Sequence, residues 1–180
     1  MLAAPACQAT GTHTPAPQTA AVRAVSTTLP STPPPGETAL IVERFTTAIW
    51  PAVVDYHFHR AQNGPAELTF LTIRDRGLDR AGWGALRDAV QNIGEITPDS
   101  PTQNSAGVEG LHLVVANVSD ADATAATVSA CYTFTALTYT MESGFDPVRT
   151  PAAAQADFGL THTDTWYLHS ITNQHAVPGC

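Results

Sequence analysis

The chain has 180 residues, 43% of them hydrophobic and only 13% charged, with a formal net charge of −8. That length fits one domain of ordinary size with an appendage, and the apolar fraction suffices for a packed core. All eight basic side chains are arginines, set against sixteen carboxylates. Such a balance excludes the clustered positive surface that nucleic-acid phosphates or anionic headgroups require.

The absence of lysine, with abundant Ala and Thr, reads as the codon bias of a high-GC genome. No apolar run approaches the length of about 20 residues that a spanning helix needs. Cys7, Cys131 and Cys180 form no C-x-x-C pair, which argues against a zinc ribbon or a thioredoxin-type site.

The amino end reads "MLAAPACQATG", with small residues at Ala4 and Ala6 before Cys7. This is similar to a bacterial lipobox, where a signal peptidase cuts ahead of a cysteine that then carries lipid. Pro5 is unusual there, and no charged n-region or full apolar h-region precedes it. From Gln8 to Gly36 the composition is Thr, Ser, Pro and Ala, with no apolar period. Such a stretch buries too little surface to offset its ordering entropy and reads as a disordered tether over residues 1–36. It would span about 30 Å as a coil and about 90 Å as extended polyproline. His13 falls within it as a solvated side chain.

A helix is expected from about Glu37, with Ile41, Phe45, Ile49, Ala52 and Tyr56 at helical spacing. Pro51 lacks an N–H and is expected to kink or break it. After the loop "AQNGPAE", a second short helix is expected around Leu68 to Arg76. A third begins at Asp79 as N-cap, with Trp83, Leu86, Val90 and Ile93 on one face and Gly94 as left-handed stop.

Beyond Gly94 the period changes from 3.6 to 2. "LHLVVANV" reads as a strand, "SDADAT" as a turn, and "AATVSACYTFTALTYT" as a long strand. In that long strand Val128, Ala130, Tyr132, Phe134 and Ala136 face one way. Thr127, Ser129, Cys131, Thr133 and Thr135 face the other. "AAAQADFGLTHT" and "TWYLHSIT" complete an antiparallel set. Helices first and strands second is an α+β pattern over residues 37–180.

These features together resemble the NTF2-like (cystatin-like) cone fold, and more narrowly a group of actinobacterial exported lipoproteins of that fold. The pieces that carry the resemblance are the Ser/Thr/Pro tether, Val128-Ser-Ala-Cys131, Trp166 and the terminal Gly179-Cys180. Where the group often has a carboxylate two residues after the strand cysteine, this chain has Thr133. The resemblance implies N-terminal helices packed in the concave face of a curved antiparallel sheet. It also implies a disulfide between Cys131 and Cys180, which leaves Cys7 for lipidation. It places the chain outside the cytosol, on the outer face of the cytoplasmic membrane through a lipid anchor, or secreted.

For chemistry, "VDYHFHR" supplies Asp55, His57 and His59, candidates for a proton-transferring Asp–His pair. Residues i and i+2 of a helix point apart, so both histidines share a pocket only if the helix breaks after Pro51. His112, His162, His169 and His175 lie on strands, and no H-x-x-x-H pair suggests a metal. His162 continues the face of Phe158 and Leu160, and His169 lies opposite Trp166 and Leu168. Asp120 and Asp122 lack the glycine and glutamate of a calcium loop and fit a hairpin turn. No nucleophile elbow or phosphate-binding glycine loop occurs, and no cofactor is expected. Trp83, Tyr132, Phe134, Phe158 and Trp166 are candidate pocket linings for a small apolar ligand.

The sequence therefore favours a non-catalytic cell-envelope lipoprotein that binds an envelope protein or a small apolar ligand. The alternatives are a small isomerase or hydratase using the Asp–His pair, and a homodimeric assembly subunit. No nucleic-acid partner is expected, and membrane contact is expected through the anchor alone.

Overall fold

A computed structural model describes residues 35–59, 64–94, 106–139 and 146–180. Cys7, His13 and most of the tether lie outside the described residues.

The first helical run is continuous from Pro35 to His59 and comprises α1 (Pro35–Arg44), a π-helical turn (Phe45–Ile49) and α2 (Trp50–His59). Pro51 is expected to kink or break it; the run does not break, and its irregularity is the π turn. The π turn immediately precedes the proline, with Trp50 N–H bonding Phe45 O. That wider turn shifts the hydrogen-bond register just where the pyrrolidine ring would meet the carbonyls before it, so the helix accommodates the ring. Ile41, Phe45, Ile49, Ala52 and Tyr56 are all buried, as their spacing predicts.

Gly64, at φ 76°, leads into α3 (Pro65–Ile73), where Pro65 occupies the first turn at no hydrogen-bond cost. Asp79 caps α4 (Arg80–Gln91), its side chain accepting from Gly82 N–H at 2.8 Å. Gly94 follows at φ 75°, and a Cβ there would lie 3.1 Å from Val108, so the stop requires glycine.

The strands are β1 (Ala106–Ala121), β2 (Ala125–Thr138), β3 (Val148–His162) and β4 (Trp166–Val177). They form one antiparallel sheet in the order β1-β2-β3-β4. The β1–β2 turn is fixed by Asp122, whose Oδ1 accepts from the N–H groups of Thr124 (2.7 Å) and Ala125 (2.8 Å).

The α+β class stands, but the cone does not. The sheet is an open meander that is not curled around the helices, and the helices are few. The backbone supplies a reason. The central pair β2–β3 runs through fourteen consecutive partners without a register shift. The irregularities that bend strands are confined to the pairings of β1 and β4.

The core lies between the helices and one sheet face. Trp50 packs on Tyr132 (ring centroids 5.3 Å) and Phe158 (6.0 Å), and Phe45 meets Phe158 edge-on at 5.0 Å. The small residues Ala126, Ala130, Ala154 and Ala156 are buried among them, letting helical backbone approach the strands. Burial pushes the Tyr132 phenol up to about 12, so it stays neutral.

Candidate functional site

Tyr132, Phe134, Phe158 and Trp166 are all nearly inaccessible, at 5% exposure or less. All four belong to the core cluster, and Phe134 also borders a groove on the opposite sheet face. Trp83 sits apart from them on α4, against Phe70 (5.7 Å), with the Arg74 guanidinium 4.7 Å from its ring centroid.

The structure separates the residues of "VDYHFHR". His59 Nδ1 meets Asp55 Oδ1 at 2.8 Å, one helical turn away, with side chains 53% and 44% exposed. His57 turns aside and pairs through Nδ1 with Val90 O at 3.0 Å. An Asp–His pair thus forms, but on an exposed helix surface, because the helix does not break after Pro51.

Sequence reasoning missed a second Asp–His pair. His169 Nδ1 lies 2.8 Å from Asp75 Oδ2, 94 positions apart in the chain. The pair forms because the segment after α3 docks on the β4 edge, where Asp75 N–H bonds Leu168 O at 2.8 Å. Burial raises the Asp75 carboxyl, but bonds from His169 and from Gly77 N–H outweigh it and hold the group below its usual range. The placement of His169 opposite Trp166 and Leu168 was legible; its partner had no signal in local spacing.

Among the described residues, the other sheet face carries no helix. There β2 presents Thr127, Ser129, Cys131, Thr133 and Thr135, all half-buried. Cys131 is joined to Cys180, with sulfur atoms 2.11 Å apart and Cα atoms 5.7 Å apart, the pairing the resemblance implied. To reach it the chain leaves β4 at Val177 and crosses back over β3. This strap leaves depressions on both sides.

On one side lies a groove of about 720 Å³, floored by Thr133, Thr135 and Ala153 and walled by His112, Pro178 and Gly179. Gly110, at φ 62°, forms a bulge opposite β2, with partners shifting between Glu109 and His112. The extra residue brings both Glu109 and His112 onto the outer face, three positions apart. Arg149 Nε donates to Glu109 Oε2 at 3.2 Å at the rim.

On the other side lies a shallower depression of about 610 Å³. Its centre is Asp157, which accepts from Ser129 Oγ and, at 2.7 Å, from Asn173 Nδ2. The Asn173 bond, then that of Ser129, holds this carboxyl low against the opposing effect of burial. A β4 bulge makes this possible: Asn173 is left-handed at φ 52° and faces outward, while Gln174 reaches inward to Ala89 O at 3.0 Å. His175 Nδ1 is 2.7 Å from Asn173 O.

Among the described residues, no group of three His, Cys, Asp or Glu side chains could hold a metal ion. Among them also, no helix is long and apolar enough to cross a membrane.

The molecule is thus an α+β domain with helices on one sheet face and a strapped, largely polar surface on the other. No family profile and no curated protein matches the chain. It is similar to a solved structure from Novosphingobium aromaticivorans whose printed name is "putative aromatic ring hydroxylase". That likeness covers 76% of this chain and 94% of the other at 12% identity, and at a TM-score of 0.38 it carries no argument.

Proposed function

We propose that this chain is an exported, envelope-tethered domain that binds another envelope protein through the outer face of its sheet, without catalysing a reaction. The observation that carries this reading is the contrast between the two sheet faces. The aromatic side chains are packed against helices on one face. The other face, among the described residues, is grooved and strapped by the disulfide and carries no helix. In a chain of net charge −8, the open side of β2 is made of neutral hydroxyls around the disulfide. The hydroxyls of that strand can meet a protein without desolvating charge, and the neighbouring Asp157 carboxylate keeps its bonds from Ser129 and Asn173.

The disulfide supports an oxidising compartment. With Cys131 and Cys180 joined, Cys7 in "AAPAC" is the cysteine left to carry lipid. The packing of the aromatic residues argues against an interior apolar ligand. The exposure of the Asp55–His59 pair argues against its use as a sequestered acid–base couple.

A photo-crosslinking amino acid at Thr135, in the groove, tests the reading in intact cells, with Thr69 on the exposed side of α3 as control. The expected result is an adduct with a different envelope protein from Thr135 alone. An adduct of twice the chain's mass assigns the face to a second copy instead. Equal adducts from both positions, or adducts only from cytosolic protein, overturn the proposal.

A further inference from the structure

We infer that the Cys131–Cys180 disulfide is a latch on the outer-face groove, which an external dithiol opens without unfolding the domain. Its consequence for binding rests on the reading of that face proposed above; its chemistry does not.

The last ladder position of β4 is Val177, opposite Ala153. Beyond it, none of the hydrogen bonds between described residues involves Pro178, Gly179 or Cys180. Pro178 has no N–H to give. A Cβ on Gly179 would meet no atom within 4 Å, so that side of the strap faces open space. Among the described residues, the disulfide is the bond that fastens this segment, part of a groove wall, to the sheet.

That bond is also open to attack. Cys180 is exposed and Cys131 half-buried, on a sheet face that no helix among the described residues covers. Exposed disulfides are the ones that thiols reach and exchange. A thiolate of the external dithiol attacks Cys180 Sγ, forming a mixed disulfide and expelling the Cys131 thiolate, which takes up a proton. The second thiolate of the reductant then closes on its own sulfur and releases Cys180. The reductant leaves as a cyclic disulfide, and the protein gains two electrons and two protons. The freed strap then leaves the face. The groove loses the wall made by Pro178 and Gly179, and the Cys131 thiol is uncovered between Ser129 and Thr133.

The test treats the folded protein with dithiothreitol in the absence of denaturant, followed by alkylation, mass spectrometry and circular dichroism. The expected result is alkylation of both Cys131 and Cys180 while near- and far-ultraviolet spectra stay native. Reduction that proceeds only at the global unfolding rate overturns the latch, and so does reduction that abolishes the native spectrum. Failure of Cys180→Ser to fold overturns it as well, since the bond would then be a condition of the fold. For the gate, crosslinking from Thr135 is expected to fall to background in reduced protein and in Cys180→Ser. Unchanged crosslinking overturns the gate. Oxidised protein that yields no adduct overturns the binding reading and the gate together, while reducibility still decides the latch.

Discussion

Asp157 receives a hydroxyl from Ser129 on one oxygen and an amide from Asn173 on the other. Those bonds fit a carboxylate better than a carboxylic acid, which is why its pKa is held low. A carboxyl lowered in the folded state binds fewer protons there than in the unfolded chain. Its stabilisation is therefore complete above the ordinary carboxyl pKa of about 3.9 and is lost as pH falls through the lowered folded value. Asp157→Asn keeps the shape but removes the charge and one acceptor. We expect it to cost about 1–2 kcal/mol at neutral pH, measured by urea denaturation. The gap from the parent protein should begin to narrow below about pH 4, where the carboxyl of the unfolded chain takes up protons, and close as pH falls through the lowered folded value. A gap that stayed constant with pH would mean that the charge plays no part.

At the scale of elements, β2 was legible because alternation has a period of 2 and survives any bend. Val128, Ala130, Tyr132 and Phe134 are buried, and their neighbours in sequence face outward. The helices were legible where a cap and an apolar stripe agreed, as at Asp79 with Leu86, Val90 and Ile93. A bulge adds one residue and leaves no periodic trace, so neither the Glu109–His112 juxtaposition nor the Asn173 turn could be read beforehand. The Asp75–His169 pair depends on one loop docking against a distant strand, which local spacing does not encode. The cone failed for a related reason: the apolar pattern says which face is buried, whereas curvature is set by where bulges fall. Gly110 tests this level. An alanine there adopts φ 62° at a cost of about 1–2 kcal/mol, and its Cβ would lie 3.2 Å from His112 Nε2. We expect Gly110→Ala to lower stability by that amount and to shift the His112 ring resonances in NMR spectra. Unaltered stability and unaltered shifts would mean that the bulge is absent in solution.

For the whole molecule, the disulfide closes a loop spanning 49 positions, and its contribution to stability lies mainly outside the native contacts. Cross-linking removes loop-closure entropy from the unfolded ensemble, worth about 4 kcal/mol for a loop of this size. The strap makes no hydrogen bond to the sheet among the described residues, so Cys180→Ser should leave the native sheet intact while letting the unfolded chain expand. The expected result is a loss of up to about 4 kcal/mol in urea denaturation. The m-value should rise, because an uncross-linked chain exposes more surface on unfolding. Domains of this kind are typically stable by about 5–15 kcal/mol, so the variant should remain folded at room temperature. A loss of that size with an unchanged m-value and a weakened near-ultraviolet spectrum would place the effect in the folded state. The terminal residues would then help hold the core, and the outer face could not be treated as separate from it.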